Sequence, residues 1–134
     1  MTANQGFSLL ELTIVCGLVA ILLSLAVPSY SGYVLRAQRV AAIEQMYATA
    51  ACQERIYADE YFYDKRRCLM NTESENYQFK YELTEPARSK SFVLIAQPLN
   101  GQAHDKCGWL SLSETGMKII GGPKELQRKC WQGR

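Results

Sequence analysis

The chain opens on one unbroken apolar run. Across residues 7–27 the only strongly polar side chain is Glu11. As a helix rising about 1.5 Å per residue, the run reaches roughly 30 Å, the thickness of a bilayer's hydrocarbon core. Across residues 29–57 apolar side chains recur at helical spacing, at Tyr30, Tyr33, Val34, Ala37, Val40, Ala41, Tyr47, Ala48 and Ala51. Arg36, Gln38, Arg39, Gln45 and Gln53 fall on the other faces. No Gly or Pro follows Gly32 in this stretch, so it predicts an amphipathic helix continuing the apolar one, bent at Pro28 and Gly32. Residues 58–76 lack a period and read as a connecting loop. Tyr77–Leu83 then alternates strictly, as a half-buried strand does. Residues 85–90 form a polar turn, with Pro86 ending the strand. Residues 91–97 read as a second strand, whose continuous apolar run implies burial on both faces. After a turn at 98–101, residues 108–113 and 117–120 read as a third and a short fourth strand around the hairpin loop Glu114-Thr115-Gly116. Gly121-Gly122-Pro123 opens an irregular tail to Arg134. Helix and sheet must bury each other's apolar faces. The predicted class is α+β: a long amino-terminal helix on an antiparallel β-meander.

The carboxylate in the apolar run needs a reason. An ionised acid at the centre of a bilayer costs about 2.5–3.5 kcal/mol even on the lenient insertion scale. A cleaved secretory signal has a basic start and a shorter apolar core with small residues after it. Here the first six residues carry no Lys or Arg, and the small residue Gly6 precedes the run. Cleavage after Gly6 would leave the hydrophobic helix in place with a new amine on Phe7. Glu11 could then pair with the amine of a neighbouring copy, so that both charges leave lipid together. The expected organisation is a leader at 1–6, an apolar helix at 7–28 and a globular domain at 29–134.

Charge and cysteine content refine this picture. The chain has 134 residues and a net charge of +2. Without Glu11, its 15 basic residues face 12 of the 13 acids, an excess of 3. That is too small to argue for nucleic acid on its own. Cys16 lies inside the apolar helix and reads as a small packing residue. Cys52, Cys68, Cys107 and Cys130 show no zinc-ligand spacing. Their even number in an exported domain points to two disulfides. Of three possible pairings, Cys52–Cys68 and Cys107–Cys130 close short local loops, contributing about 3 kcal/mol each.

Catalytic chemistry finds little support. His104 is the only histidine, and its neighbour Asp105 makes an ordinary surface pair in a polar loop. No nucleophile–base–orienter set is readable, and no phosphate loop or metal motif is present in the sequence. The reading is a non-enzyme with no catalytic residue, no metal and no cofactor. The basic residues gather in two places: Lys65-Arg66-Arg67, and a tail carrying Lys118, Lys124, Arg128, Lys129 and Arg134 against Glu125. If the disulfides bring these groups together, one face becomes positive and would attract a phosphate backbone. Trp131, beside Cys130, reads as a plug against the disulfide, the alternative being an exposed contact.

The opening Gly6-Phe7-Ser8-Leu9-Leu10-Glu11, with Pro28 after the apolar stretch, resembles the type IV pilins. The resemblance implies cleavage by a prepilin peptidase between Gly6 and Phe7, methylation of the new amine, and Glu11 pairing with a neighbour's terminus during filament assembly. Downstream, Phe92-x-Leu94-x-Ala96-x-Pro98, Gln102, Asp105-x-Cys107-Gly108-x-Leu110-x-Leu112, Gly116-x-Lys118 and Cys130-Trp131 look like the globular domain of minor pilins in the ComP group. That group implies a receptor for DNA uptake sequences, acting in natural transformation. Expected partners are other pilin subunits, the prepilin peptidase, double-stranded DNA and, before assembly, the bacterial inner membrane, crossed once. The final location is the pilus at the cell surface. The expected DNA contacts are Lys65, Arg66, Arg67, Lys118, Lys124, Arg128 and Lys129. The alternatives are a purely structural minor pilin and a pseudopilin of a type II secretion system.

Overall fold

A computed structural model of the chain describes residues 8–68, 74–83 and 89–134, without the side chains of Val27 and Pro28. The expected processing residues Gly6 and Phe7, and residues 85–88 of the expected polar turn, lie outside the described residues. The chain divides into two compact units, Met1–Val34 and Leu35–Arg134. One helix, α1 (Leu9–Glu60), begins in the first and ends in the second, and its backbone is helical through Pro28 and Gly32.

The described part of the first unit is helix from Leu9 onward. Leu9, Leu10, Leu12, Ile14, Leu18, Ile21, Leu22 and Leu25 are all exposed, a surface that water does not suit. Two of its hydroxyls turn back onto the helix. Thr13 Oγ1 donates to the Leu10 carbonyl at 2.8 Å and Ser24 Oγ to that of Ile21 at 2.7 Å. Their polar hydrogens are therefore satisfied without solvent, as an apolar surrounding requires. Among the described residues this is the one helix long and apolar enough to cross a membrane.

The second unit packs the rest of α1 against a four-stranded antiparallel sheet of order β1 (Tyr77–Leu83), β2 (Phe92–Pro98), β3 (Leu110–Ser113), β4 (Lys118–Ile120). Register places Phe79, Ala96, Leu110 and Ile120 in one row across the sheet. Together with Phe92, Leu94 and Leu112 they are buried in one core with Ala42, Ile43 and Met46 of α1. β1 has the bounds its alternation predicts. β2 differs from expectation: Phe92, Leu94 and Ala96 are buried, whereas Val93 and Ile95 are only half-covered. Only one face of the sheet meets α1, so the second face of an apolar strand stays partly open.

The buried stripe of α1 also differs. Ala41, Ala48 and Ala51 are exposed, while Arg39, Thr49 and Gln53 are buried. The stripe runs through Arg39, Ala42, Ile43, Met46, Thr49, Gln53 and Ile56, a 3–4 spacing set by its larger apolar members. Gln53 tolerates burial because its amide pairs twice with Asp64. It donates to the Asp64 carbonyl at 2.8 Å and accepts from the Asp64 N–H at 3.1 Å. The loop after α1 is thereby laid along the helix.

The tail is not irregular throughout. It forms a 3₁₀ turn at Lys124–Leu126 and a short helix, α2 (Gln127–Trp131). Gly122 is required at its start, since a side chain there would overlap the Lys106 carbonyl. Disulfides join Cys52 to Cys68 and Cys107 to Cys130.

Candidate functional site

The Cys107–Cys130 bridge is the first of three ties that hold the tail in place, joining it to the loop before β3. The second is a buried polar network. Arg39 donates through Nη1 to both oxygens of Asp105, at 2.7 and 2.6 Å. The same guanidinium donates through Nη2 to the Arg134 carbonyl at 3.2 Å. Asp105 also accepts from the Cys107 N–H at 3.1 Å and from Gln102 Nε2 at 2.9 Å. Gln102 further donates to the Tyr77 hydroxyl and the Leu35 carbonyl, each at 3.0 Å. Burial pushes the Tyr77 phenol up to about 12, with Asp105 adding to the rise and the Gln102 hydrogen bond and Arg39 opposing it. A carboxylate this deeply buried survives because guanidinium, amide and backbone donors all converge on it. Asp105 is therefore a structural anchor and not half of a surface pair with His104. The sequence places Arg39 and Asp105 apart by 66 positions, which is why neither side chain signals its burial alone.

The third tie is aromatic. Trp131 packs edge-on against Tyr47 of α1, ring centres 6.1 Å apart at 64°. It is half-buried, and its indole N–H has no acceptor among the described residues. Lys118 completes this group for a reason of register. It sits opposite Leu112 at the start of the edge strand, in a row that points toward α1. Its ammonium reaches 5.3 Å from the Tyr47 ring centre and 5.8 Å from that of Trp131. A cation over two ring faces is held without a carboxylate partner among the described residues.

Around this group lies an open pocket of about 370 Å³, lined by Lys118, Lys124, Glu125, Gln127, Arg128, Trp131 and Gln132. The 3₁₀ turn and α2 produce the convergence: Lys124, Arg128 and Gln132 follow at intervals of four and Trp131 lies three beyond Arg128. Gln127 Nε2 donates to the Lys118 carbonyl at 2.6 Å and fastens α2 to β4. Against one carboxylate, three cations face the same cavity.

The structure thus brings together Lys118, Lys124 and Arg128, and places Lys129 exposed beside them but off the pocket. Lys65, Arg66 and Arg67 belong elsewhere. They are exposed on the loop closed by Cys52–Cys68, and Arg67 is ion-paired with Glu60. The anchors of the two clusters on α1, Tyr47 and Glu60, are separated by roughly 20 Å of helix rise. Cys52–Cys68 holds the first cluster to α1 and Cys107–Cys130 holds the tail to the loop before β3, so the disulfides do not draw the clusters together. Trp131 does press on the core, as expected of a plug, but it also lines the pocket. Glu11 is exposed on the first unit.

Residues 28–111 match the family described as type IV minor pilin ComP, DNA uptake sequence receptor. Among solved structures, a type IV pilin from Shewanella oneidensis is 33% identical at a TM-score of 0.55, the match covering 63% of this chain and 90% of that one. The non-core minor pilin PilV from Neisseria meningitidis is 20% identical at a TM-score of 0.46, over 66% of this chain and 89% of that one. No curated protein matches the chain. The long helix, four-stranded antiparallel sheet and two disulfides are those of a pilin, a class of filament subunits and not of enzymes. The chain belongs to the ComP family of type IV minor pilins.

Proposed function

We propose that this minor pilin is a DNA receptor at the type IV pilus, binding extracellular double-stranded DNA through its tail and passing it to the uptake machinery during transformation. The observation that carries the reading is the convergence of Lys118, Lys124 and Arg128 on one pocket, with Lys129 beside it. The family match supports it independently, because residues 28–111 end before any of these four. In the same reading a prepilin peptidase cuts between Gly6 and Phe7 after insertion in the inner membrane. Glu11 then meets the methylated amine of an adjacent subunit as the helix enters the filament.

Four phosphate contacts give a slope of about −3.6 in log affinity against log salt. Mobility shift of the full chain in detergent micelles over a salt series measures it. A flat line, or no shift at all, rejects the reading. In cells, deletion should abolish transformation while pili persist. Loss of pili would support a purely structural minor pilin, and loss of protein export a secretion pseudopilin.

A further inference from the structure

We propose that the pocket of Lys118, Lys124, Arg128 and Trp131 takes one unpaired nucleotide, at a strand end or swung out of the stack, so that the protein prefers DNA offering such a nucleotide to a blunt duplex. This rests on the DNA-binding reading and goes one step beyond it, from the polymer's phosphates to a single base. Size is the first argument. A duplex backbone crossing a surface needs exposed cations but no hollow, whereas this site is an open pocket of about 370 Å³. That lies within the roughly 300–1,000 Å³ of small-ligand pockets, and a lone phosphate would leave most of it empty.

Composition is the second. The lining combines the three chemistries a nucleotide needs. Lys118, Lys124 and Arg128 meet the phosphate, with Glu125 offsetting one of their charges. The Trp131 indole offers an aromatic surface for the base, an interaction tolerant of base identity. Gln127 and Gln132 carry both donors and acceptors suited to a base edge. Pre-positioning is the third. Lys118 is held over Tyr47 and Trp131, and Gln127 is fastened to the Lys118 carbonyl, so neither has to be ordered by the ligand.

The experiment is equilibrium binding of the full chain in detergent micelles to one labelled hairpin duplex, blunt or with a three-nucleotide overhang. The overhang should tighten binding about tenfold, the worth of a single stacked base. Deoxythymidine monophosphate should compete that advantage away, and inorganic phosphate at the same concentration should not. The paired change Lys124→Ala with Arg128→Ala, both exposed, should erase the advantage, while Lys65→Ala with Arg66→Ala should keep it. Tryptophan fluorescence should be quenched by the overhang in the wild type and not in Trp131→Phe, which retains an aromatic plug. Equal affinity for the two hairpins, or phosphate competing as well as the nucleotide, overturns the inference and leaves the DNA receptor standing. Failure to bind either hairpin overturns both.

Discussion

Two disulfide-closed segments of the globular unit carry basic clusters, and they differ in what surrounds the charge. Between Cys52 and Cys68 lie Arg55, Lys65, Arg66 and Arg67, matched in number by Glu54, Asp59, Glu60 and Asp64. One of these pairs, Glu60 with Arg67, is joined directly. Between Cys107 and Cys130 lie Lys118, Lys124, Arg128 and Lys129 against Glu114 and Glu125. The first segment is neutral and hugs the end of α1. The second keeps an excess of positive charge and opens a pocket. A basic run in the sequence is therefore not a basic site. What counts is whether acids share its neighbourhood and whether a scaffold aims the cations at one place.

The comparison also concerns rigidity. The first segment is tied down by the Gln53 amide, by the Tyr63 hydroxyl donating to Glu54 at 2.9 Å, and by stacking of Tyr57 on Tyr63 with ring centres 4.7 Å apart. The second depends on the buried Arg39–Asp105 pair, so breaking that pair should have the largest effect. Arg39→Met leaves the Asp105 carboxylate buried without its guanidinium, and should cost about 3–5 kcal/mol in denaturant unfolding. A loss below about 1 kcal/mol would mean that the network does not hold the tail.

Removing the disulfides sharpens the contrast next. Either double Cys→Ser change should cost about 3 kcal/mol, because loops of 16 and 23 residues differ little in closure entropy. Function should separate them. Loss of Cys107–Cys130 should weaken DNA binding in the mobility-shift assay, and loss of Cys52–Cys68 should leave it within about twofold, the ordinary effect of a surface change away from the site. Equal weakening would erase the distinction between the segments.

A smaller effect follows from Tyr77, which ties β1 to the tail network. Its neutral form is favoured on folding, so its contribution is complete below the ordinary phenol value near 10 and lost as pH rises toward about 12. Unfolding midpoints should therefore fall between pH 10 and pH 12. Tyr77→Phe, having no phenol to ionise, should flatten that fall, measurably so in paired pH series.

Much of the fold was legible because its signals are local. The strict alternation of Tyr77–Leu83 defines β1 to the residue. The unbroken apolar and amphipathic runs mark α1, and short loop closure favours the pairing that the structure contains. The buried face of α1 was less readable. Alanines at 41, 48 and 51 satisfy helical spacing without having enough apolar surface to choose a face. Ile43, Met46 and Ile56 do have it, and following them would have drawn Arg39 and Gln53 into the core. Those two looked like surface residues because their partners, Asp105 and the Asp64 backbone, are invisible to periodicity. The pocket was half legible. Its cations stand out in the tail, but their convergence depends on an inward-facing register at Lys118 and on single helical turns too short to show a period.

The most direct test sets the two clusters against each other in the full chain. One variant carries Lys124→Ala, Arg128→Ala and Lys129→Ala, and the other Lys65→Ala, Arg66→Ala and Arg67→Ala, with DNA affinity followed over a salt series. The account predicts that the tail variant loses most of its affinity and that its salt slope falls by about 2.7, while the loop variant stays close to the wild type. A loop variant that loses the slope while the tail variant keeps it would contradict the account.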